Sequence, residues 1–387
     1  MWFSNNHRII LLYTTVFLLI SLITVFLPVW LNKELGLSYK SIGILLGGIG
    51  LLKIFSNILI TKSIKSFYGK KITLIALTII ITSILFISIL FKNMQDSIEV
   101  LLIFFILLLF SPVLPIVENI CIYLNKNFQN SYGKLRVSGS LSFLFAVILI
   151  GLIVDKYGSN IIPFLFMFFC ILFLISVFVL PEKKKKISNR SQGNIKKLLL
   201  NKNFMILTIS ASIIIASHAM YYGFSAIFWK QNNFSYFEIG ILWGWGVIAE
   251  IFFFLNINKI NIERIIFKAV LISGLVSAFR WIATYFFGSF YLLLLAQTLH
   301  LFSFGLTHYL VMYYIHSKIT NRNKLIAQSL YHAISSGIIM TVFTIIAGLS
   351  FNYYFGGEGF LIMSFFCLIS VLIVFFGSIC KKHENSE

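Results

Sequence analysis

Few residues in this chain can do chemistry, and their placement is selective. Glu118 lies inside one apolar segment and Arg136 just inside the next, equidistant from Asn127 in a short polar loop, Asn125 to Ser131. If both segments cross a membrane, the two charges reach similar depth on facing helices of a hairpin. Arg280 and His300 repeat the pattern about Phe290. At 1.5 Å per residue each stands about 15 Å from that turn, close to mid-bilayer. A charge in a bilayer costs roughly 2.5–3.5 kcal/mol on insertion scales, so such groups are read as functional by default. Glu118 and Glu250 are the carboxylates read inside apolar segments; the remaining acids are assigned to loops or tails. A carboxylate that alternates between a protonated and an ion-paired state can couple proton movement to binding. Arginine stays charged and is better suited to anchoring an anion or closing an ion pair.

Histidines at the same depth are His218, His300, His308 and His332. His218 opens the run HAMYYGFSAIFW, whose Tyr221, Tyr222 and Phe224 can stack on an aromatic ligand or simply pack between helices. Trp245 is a further aromatic candidate. His300 and His308 are eight apart, two turns along one helix face, but a metal would need a third ligand and none is evident. The four cysteines, Cys121, Cys170, Cys367 and Cys380, show no metal or redox spacing and read as small core residues. There is no phosphate-binding glycine loop, no HExxH and no GxSxG. Without a concentrated catalytic constellation, an enzyme is not expected.

Composition supplies the membrane premise. The chain has 387 residues, 59% hydrophobic and 11% charged, where a soluble domain carries about 25% charged residues. Its apolar runs are continuous and about 20 residues long, as spanning helices require. They predict an all-α polytopic membrane protein with twelve transmembrane helices near 9–30, 40–61, 72–91, 98–123, 135–154, 160–180, 204–227, 236–256, 267–287, 290–316, 327–350 and 359–380. The first run shows no small-residue cleavage site and is expected to be retained as a helix. The formal charge of +19 points to a lipid surface and not to nucleic acid, because no soluble basic domain is present.

Most Lys and Arg fall on one side of this layout, which places both termini in the cytoplasm. Trp30 and Trp229 then sit at outer boundaries, where interfacial anchors are found. The longest polar stretch, PEKKKKISNRSQGNIKK from Pro181, divides the chain. It predicts six-helix bundles at 1–181 and 203–387 joined by a basic cytoplasmic linker, 182–202, the plan of pseudo-symmetric transporter halves. Gly43, Gly47, Gly48 and Gly50, with Gly139 and Gly151, are expected to allow close helix contacts.

Several stretches carry a resemblance: SPVLPIVENI, YGKLRVSGSLSF, HAMYYGFSAIFWKQNNFSYFEIGILWGWGVIAE, FRWIATY and LHLFSFGLTHY. With the twelve-helix plan they resemble the major facilitator superfamily, and within it the 3-phenylpropionate transporter branch, relatives of the lactose permease. The resemblance implies a secondary transporter of a small organic substrate, an aromatic carboxylate being favoured, by proton symport and alternating access. It implies no cofactor beyond the proton gradient, and a monomer in the bacterial inner membrane.

Uptake of a sugar or nucleoside, efflux, and a non-transporting scaffold or sensor are the alternatives. By the resemblance, Glu118 and Arg136 match a substrate-holding pair, and Arg280 and His300 match a coupling pair. Substrate contacts are expected from Glu118, Arg136, His218, Tyr221, Tyr222, Trp245 and Arg280. Proton coupling is expected from Glu250, Arg280, His300 and His308. Gln297 and Ser303 depart from the lactose permease, which has a Lys and a Glu at those places; Glu250 is therefore the favoured proton carrier.

Overall fold

The computed structural model describes residues 5–64, 66–91, 96–124, 128–181, 194–257, 262–263, 265–353 and 356–384. Among these, twelve helices are long and apolar enough to cross a membrane. They are α1 (Asn5–Lys33), α2 (Tyr39–Ser56), α3 (Phe67–Leu90), α4 (Ser97–Cys121), α5 (Val137–Tyr157), α6 (Ser159–Phe178), α7 (Lys202–Gln231), α8 (Tyr236–Asn256), α9 (Ile266–Phe286), α10 (Phe290–Lys318), α11 (Ile326–Phe351) and α12 (Gly359–Gly377). All twelve apolar runs are thus helical. The chain is a multi-pass membrane protein.

Helix ends differ from expectation where polar side chains satisfy the backbone. α3 begins at Phe67, earlier than the sequence suggests, because the Ser66 hydroxyl caps Gly69 N at 3.0 Å. Its first turns therefore carry Lys70 and Lys71. Lys71 Nζ donates to the carbonyls of Phe178 and Leu180 at 3.1 and 2.7 Å, neutralising the carbonyl end of α6. The helix containing α5 already starts at Phe128, so much of the supposed loop Asn125–Ser131 is helical. Glu99, Asp155 and Glu238 also stand within helices, near their ends, and not in loops. Asp155 accepts from Tyr236 N and Phe237 N, 2.9 and 2.8 Å, at the amino end of α8.

The packing resolves two compact units. The first holds Met1–Leu37, Leu51–Asn189 and Ser235–Ile241. Within it α1 packs on α5 and α6, and α3 on α4 and α6. The second holds Ser38–Gly50, Arg190–Phe234 and Leu242–Glu387, with α12 against α9 and α7, and α7 against α11. The unit boundaries thus fall inside α2 and α8, unlike the expected division at 1–181 and 203–387. Glycines explain both. A Cβ on Gly43 would stand 2.8 Å from Gly348 Cα, and one on Gly240 would stand 2.5 Å from Val147 O. Such backbone approach ties the first part of α2 to α11 and the start of α8 to α5. Linker residues 182–193 lie outside the described residues; Ile195–Leu199 form a short helix capped by Asn194.

Not every expectation of a close contact or an anchor is met. Gly47 and Gly50 also face α11, through Ile345 and Thr341, but Gly48 faces open space. Trp229 is fully buried and Trp30 nearly so; both are core residues and not interfacial anchors. Cys121, Cys170 and Cys367 are buried free thiols, while the side chain of Cys380 lies outside the described residues.

Gly43→Val drives a side chain into the Gly348 backbone, an overpacking cost of about 1–3 kcal/mol. It is expected to lower the melting temperature of the purified protein, and Gly48→Val is expected to leave it unchanged. Equal melts for the two variants would rule out the contact.

Candidate functional site

The densest polar cluster lies in the second unit, on α7, α9 and α10, and it is organised by Arg280. The guanidinium is fully buried. Its Nη1 lies 2.8 Å from Ser303 Oγ, 3.0 Å from His218 Nε2 and 3.1 Å from His300 Nδ1. Its Nη2 donates to Gln297 Oε1 at 2.7 Å. Tyr221 and Trp281 offer ring faces to it, with centroids 4.9 and 4.4 Å away. The expected partners Arg280 and His300 are therefore in contact, and His218 joins them.

Local sequence explains how three helices deliver these groups. α7 breaks between Ala216 and His218. There the Ser217 hydroxyl bonds back to Ile214 O at 2.7 Å, and the His218 ring contacts Ile215 O at 3.0 Å. Side chains that compete for helix carbonyls bend helices. The bend is held by Trp281, whose indole N–H donates to Ser217 Oγ at 2.8 Å. α10 contains a π-helical stretch, Leu301–Leu306, directly after His300. Such insertions reset the facing of side chains and are frequent at functional sites.

Hydrogen-bond logic assigns the ring protons. Arginine is donor-only, so the ring nitrogens facing it must accept. Nη1 has two hydrogens for three neighbours. The network closes if they go to Ser303 and His300, while Ser303 donates to His218 Nε2 at 3.2 Å. His218 Nδ1–H is then held by Ile215 O. His300 carries its hydrogen on Nε2, and that atom is 3.9 Å from Glu250 Oε2 on α8. The half-buried Glu250 carboxylate thus stands one imidazole away from the buried cation. Two polar atoms in this cluster, Arg280 Nε and Gln297 Nε2, have no hydrogen-bond acceptor among the described residues.

The other named residues are placed as follows. Tyr221 stacks on Trp243 at 4.1 Å and is almost wholly buried. Tyr222 is half-buried beside His218 and Trp243. Trp245 is 40% exposed, outside the cluster, and its indole N–H donates to Thr298 Oγ1 at 3.0 Å. His308 is separated from His300 by Phe304, which stacks on both. In the first unit, half-buried Glu118 accepts from Tyr13 Oη at 3.3 Å. The side chain of Arg136 lies outside the described residues, so its pairing with Glu118 does as well. Sequence reasoning treated Gln297 and Ser303 as mere departures, yet both hold Arg280. Their spacing of three on either side of His300 is the signal that marks one helix face.

Comparison with known proteins follows the same lines. Residues 7–362 match the model of the MFS_1 like family. The chain belongs to that family. It is 27% identical to an Escherichia coli (strain K12) protein named "Probable 3-phenylpropionic acid transporter", over 88% of this chain and 90% of that one. Its fold resembles the nucleoside transporter NupG, with a TM-score of 0.82 at 17% identity over 97% and 99% of the chains. It also resembles the POT family transporter PepTSo, with a TM-score of 0.74 at 11% identity over 100% and 99%. The protein is a transporter of the major facilitator type, with a small-molecule substrate. Its relatives and structural neighbours are all transporters, which points away from an enzyme.

Arg280→Lys keeps the charge but loses the planar fork that bridges Gln297 and His300. Each buried acceptor left unpaired costs about 1–3 kcal/mol. The variant is expected to melt several degrees below the wild type, and an unchanged melt would refute the central role of the fork.

Proposed function

We propose that the protein is a proton symporter that takes up a small aromatic carboxylate such as 3-phenylpropionate by alternating access. In this reading it acts as a monomer in the bacterial inner membrane, with both termini cytoplasmic. The observation that carries the coupling is the line Glu250, His300, Arg280. Glu250 is the proton carrier. His300 faces it with an N–H and accepts from Arg280 on its other edge, so a change of charge at Glu250 is felt by the buried cation through one ring.

With Nη1 and Nη2 held by Ser303, His300 and Gln297, Arg280 is assigned to the coupling in this reading. Of the aromatic residues named for substrate contact, Tyr222 and Trp245 keep exposed surface and are assigned to the substrate ring. Glu118 and Arg136 supply the polar groups of the first unit. The substrate class is supported by the name of the E. coli relative and by this aromatic surface.

Glu250→Gln is expected to abolish uphill accumulation driven by a proton gradient in proteoliposomes, while substrate exchange without a gradient continues. Accumulation that survives the substitution removes Glu250 from the mechanism. A parallel thermal-shift series tests the substrate: a ligand at 100 times its Kd stabilises the native state by about 2.7 kcal/mol. 3-Phenylpropionate is expected to shift the melt, and a shift given by a nucleoside or sugar alone would overturn the choice of substrate.

A further inference from the structure

Two donors of the Arg280 cluster, Arg280 Nε and Gln297 Nε2, are left without an acceptor among the described residues. Both side chains are fully buried. Gln297 Oε1 accepts from Arg280 Nη2 at 2.7 Å, so the two orphan nitrogens belong to the two sides of one guanidinium–amide contact. Arginine can only donate, which fixes the Gln297 oxygen toward it and leaves the amide NH2 for another acceptor. Planar bond geometry across that contact keeps the two nitrogens within about 7 Å of each other.

The charge is unmatched as well. The hydrogen-bond partners described for Arg280 are His218, His300, Ser303 and Gln297, and none of them carries a carboxylate. Tyr221 and Trp281 add ring faces but no counter-charge. A buried donor without an acceptor bears its full desolvation penalty, more so on a charged group. A water would fill the donors and leave the charge, whereas an anion answers both. Accessible surface comes close to the cluster: the side chains of His300 and Glu250 keep 10% and 14% exposure, and His300 Nδ1 lies 3.1 Å from Arg280 Nη1.

We propose that the Nε edge of Arg280 and the amide NH2 of Gln297 form the site for the substrate carboxylate. This rests on the substrate reading given above, and it uses a donor of the arginine that the line to Glu250 leaves unused. One carboxylate oxygen accepts from Arg280 Nε–H and the other from Gln297 Nε2–H, each at about 2.8 Å. Gln297 is then a specificity-determining residue: its oxygen holds Arg280 in place, and its nitrogen selects an acceptor.

The test uses the full-length purified transporter, isothermal titration, and two ligands of one shape, 3-phenylpropionate and 3-phenylpropionamide. Gln297→Glu keeps an oxygen on Arg280 Nη2 and replaces the NH2 donor by a second oxygen of a negatively charged group. This variant is expected to bind the acid at least about tenfold more weakly, the worth of one hydrogen bond to a charged group. It is expected to bind the amide no more weakly than the wild type does, because the ligand NH2 can donate to the new carboxylate. A variant that keeps the wild-type preference for acid over amide overturns the site and leaves the substrate reading standing, as does a wild type that binds acid and amide equally. A second measurement needs no altered site. In wild-type protein with isotope-labelled arginine, the Nε–H resonance that is missing from Arg280→Lys is expected to move downfield when the acid binds. A resonance that stays in place while the acid binds overturns the site. A wild type that binds neither ligand overturns the substrate reading, and the site with it.

Discussion

A buried guanidinium with no carboxylate in hydrogen-bond reach among the described residues constrains the second half of this protein. Moving an ion of that size out of water costs several kcal/mol even after relaxation. Arg280 recovers that cost from neutral acceptors and aromatic faces: Gln297, His300, Ser303, Tyr221 and Trp281. Each acceptor must arrive at the right height on its own helix. The break in α7 at Ser217 and the π-helical stretch in α10 are the backbone adjustments that accompany this convergence. The cluster therefore pins α7, α9 and α10 to one another at a single depth. Glu250 stands one imidazole away, 3.9 Å from His300 Nε2.

The twelve spans were legible because a membrane helix writes itself as about 20 apolar residues in a row. Ends were less legible, because a capping serine or a lysine bound to carbonyls extends a helix into sequence that reads as loop. Lys70 and Lys71 look like cytoplasmic charges in composition, yet Lys71 serves as a carbonyl cap for α6. Trp229 reads identically whether it faces headgroups or core, and only packing decides; it is in the core. The packing units follow a different signal from the linker. Polarity marks a linker, whereas the packing division follows glycine contacts at Gly43 and Gly240, which carry no polar signal.

The site shows the same split between local and distant information. Arg280 and His300 were legible as a pair, since they flank one turn at equal distance. His218 lies 62 residues from Arg280 in sequence, and no periodicity connects them. Gln297 and Ser303 were visible in the sequence but were read as absences, because they stand where the lactose permease carries charges. The structure gives them a positive role: neutral acceptors replace a second set of charges around one arginine. That substitution leaves fewer ionisable groups around the arginine, and the proposed coupling therefore falls to Glu250 and His300.

The two histidine clusters of the second unit differ in kind. One is built on Arg280, whose Nη1 and Nη2 reach Ser303, His300 and Gln297. The other sets the rings of His308 and His332 5.9 Å apart, with the buried Tyr331 phenol 3.3 Å from His308 Nδ1. Phe304 lies between them, and the stacked rings separate His300 from His308 by at most about 12 Å. At that distance and an effective dielectric constant of about 20, opposite unit charges attract by about 1.4 kcal/mol. A unit charge gained at one cluster would therefore shift an equilibrium at the other by about tenfold, and linkage makes that effect mutual.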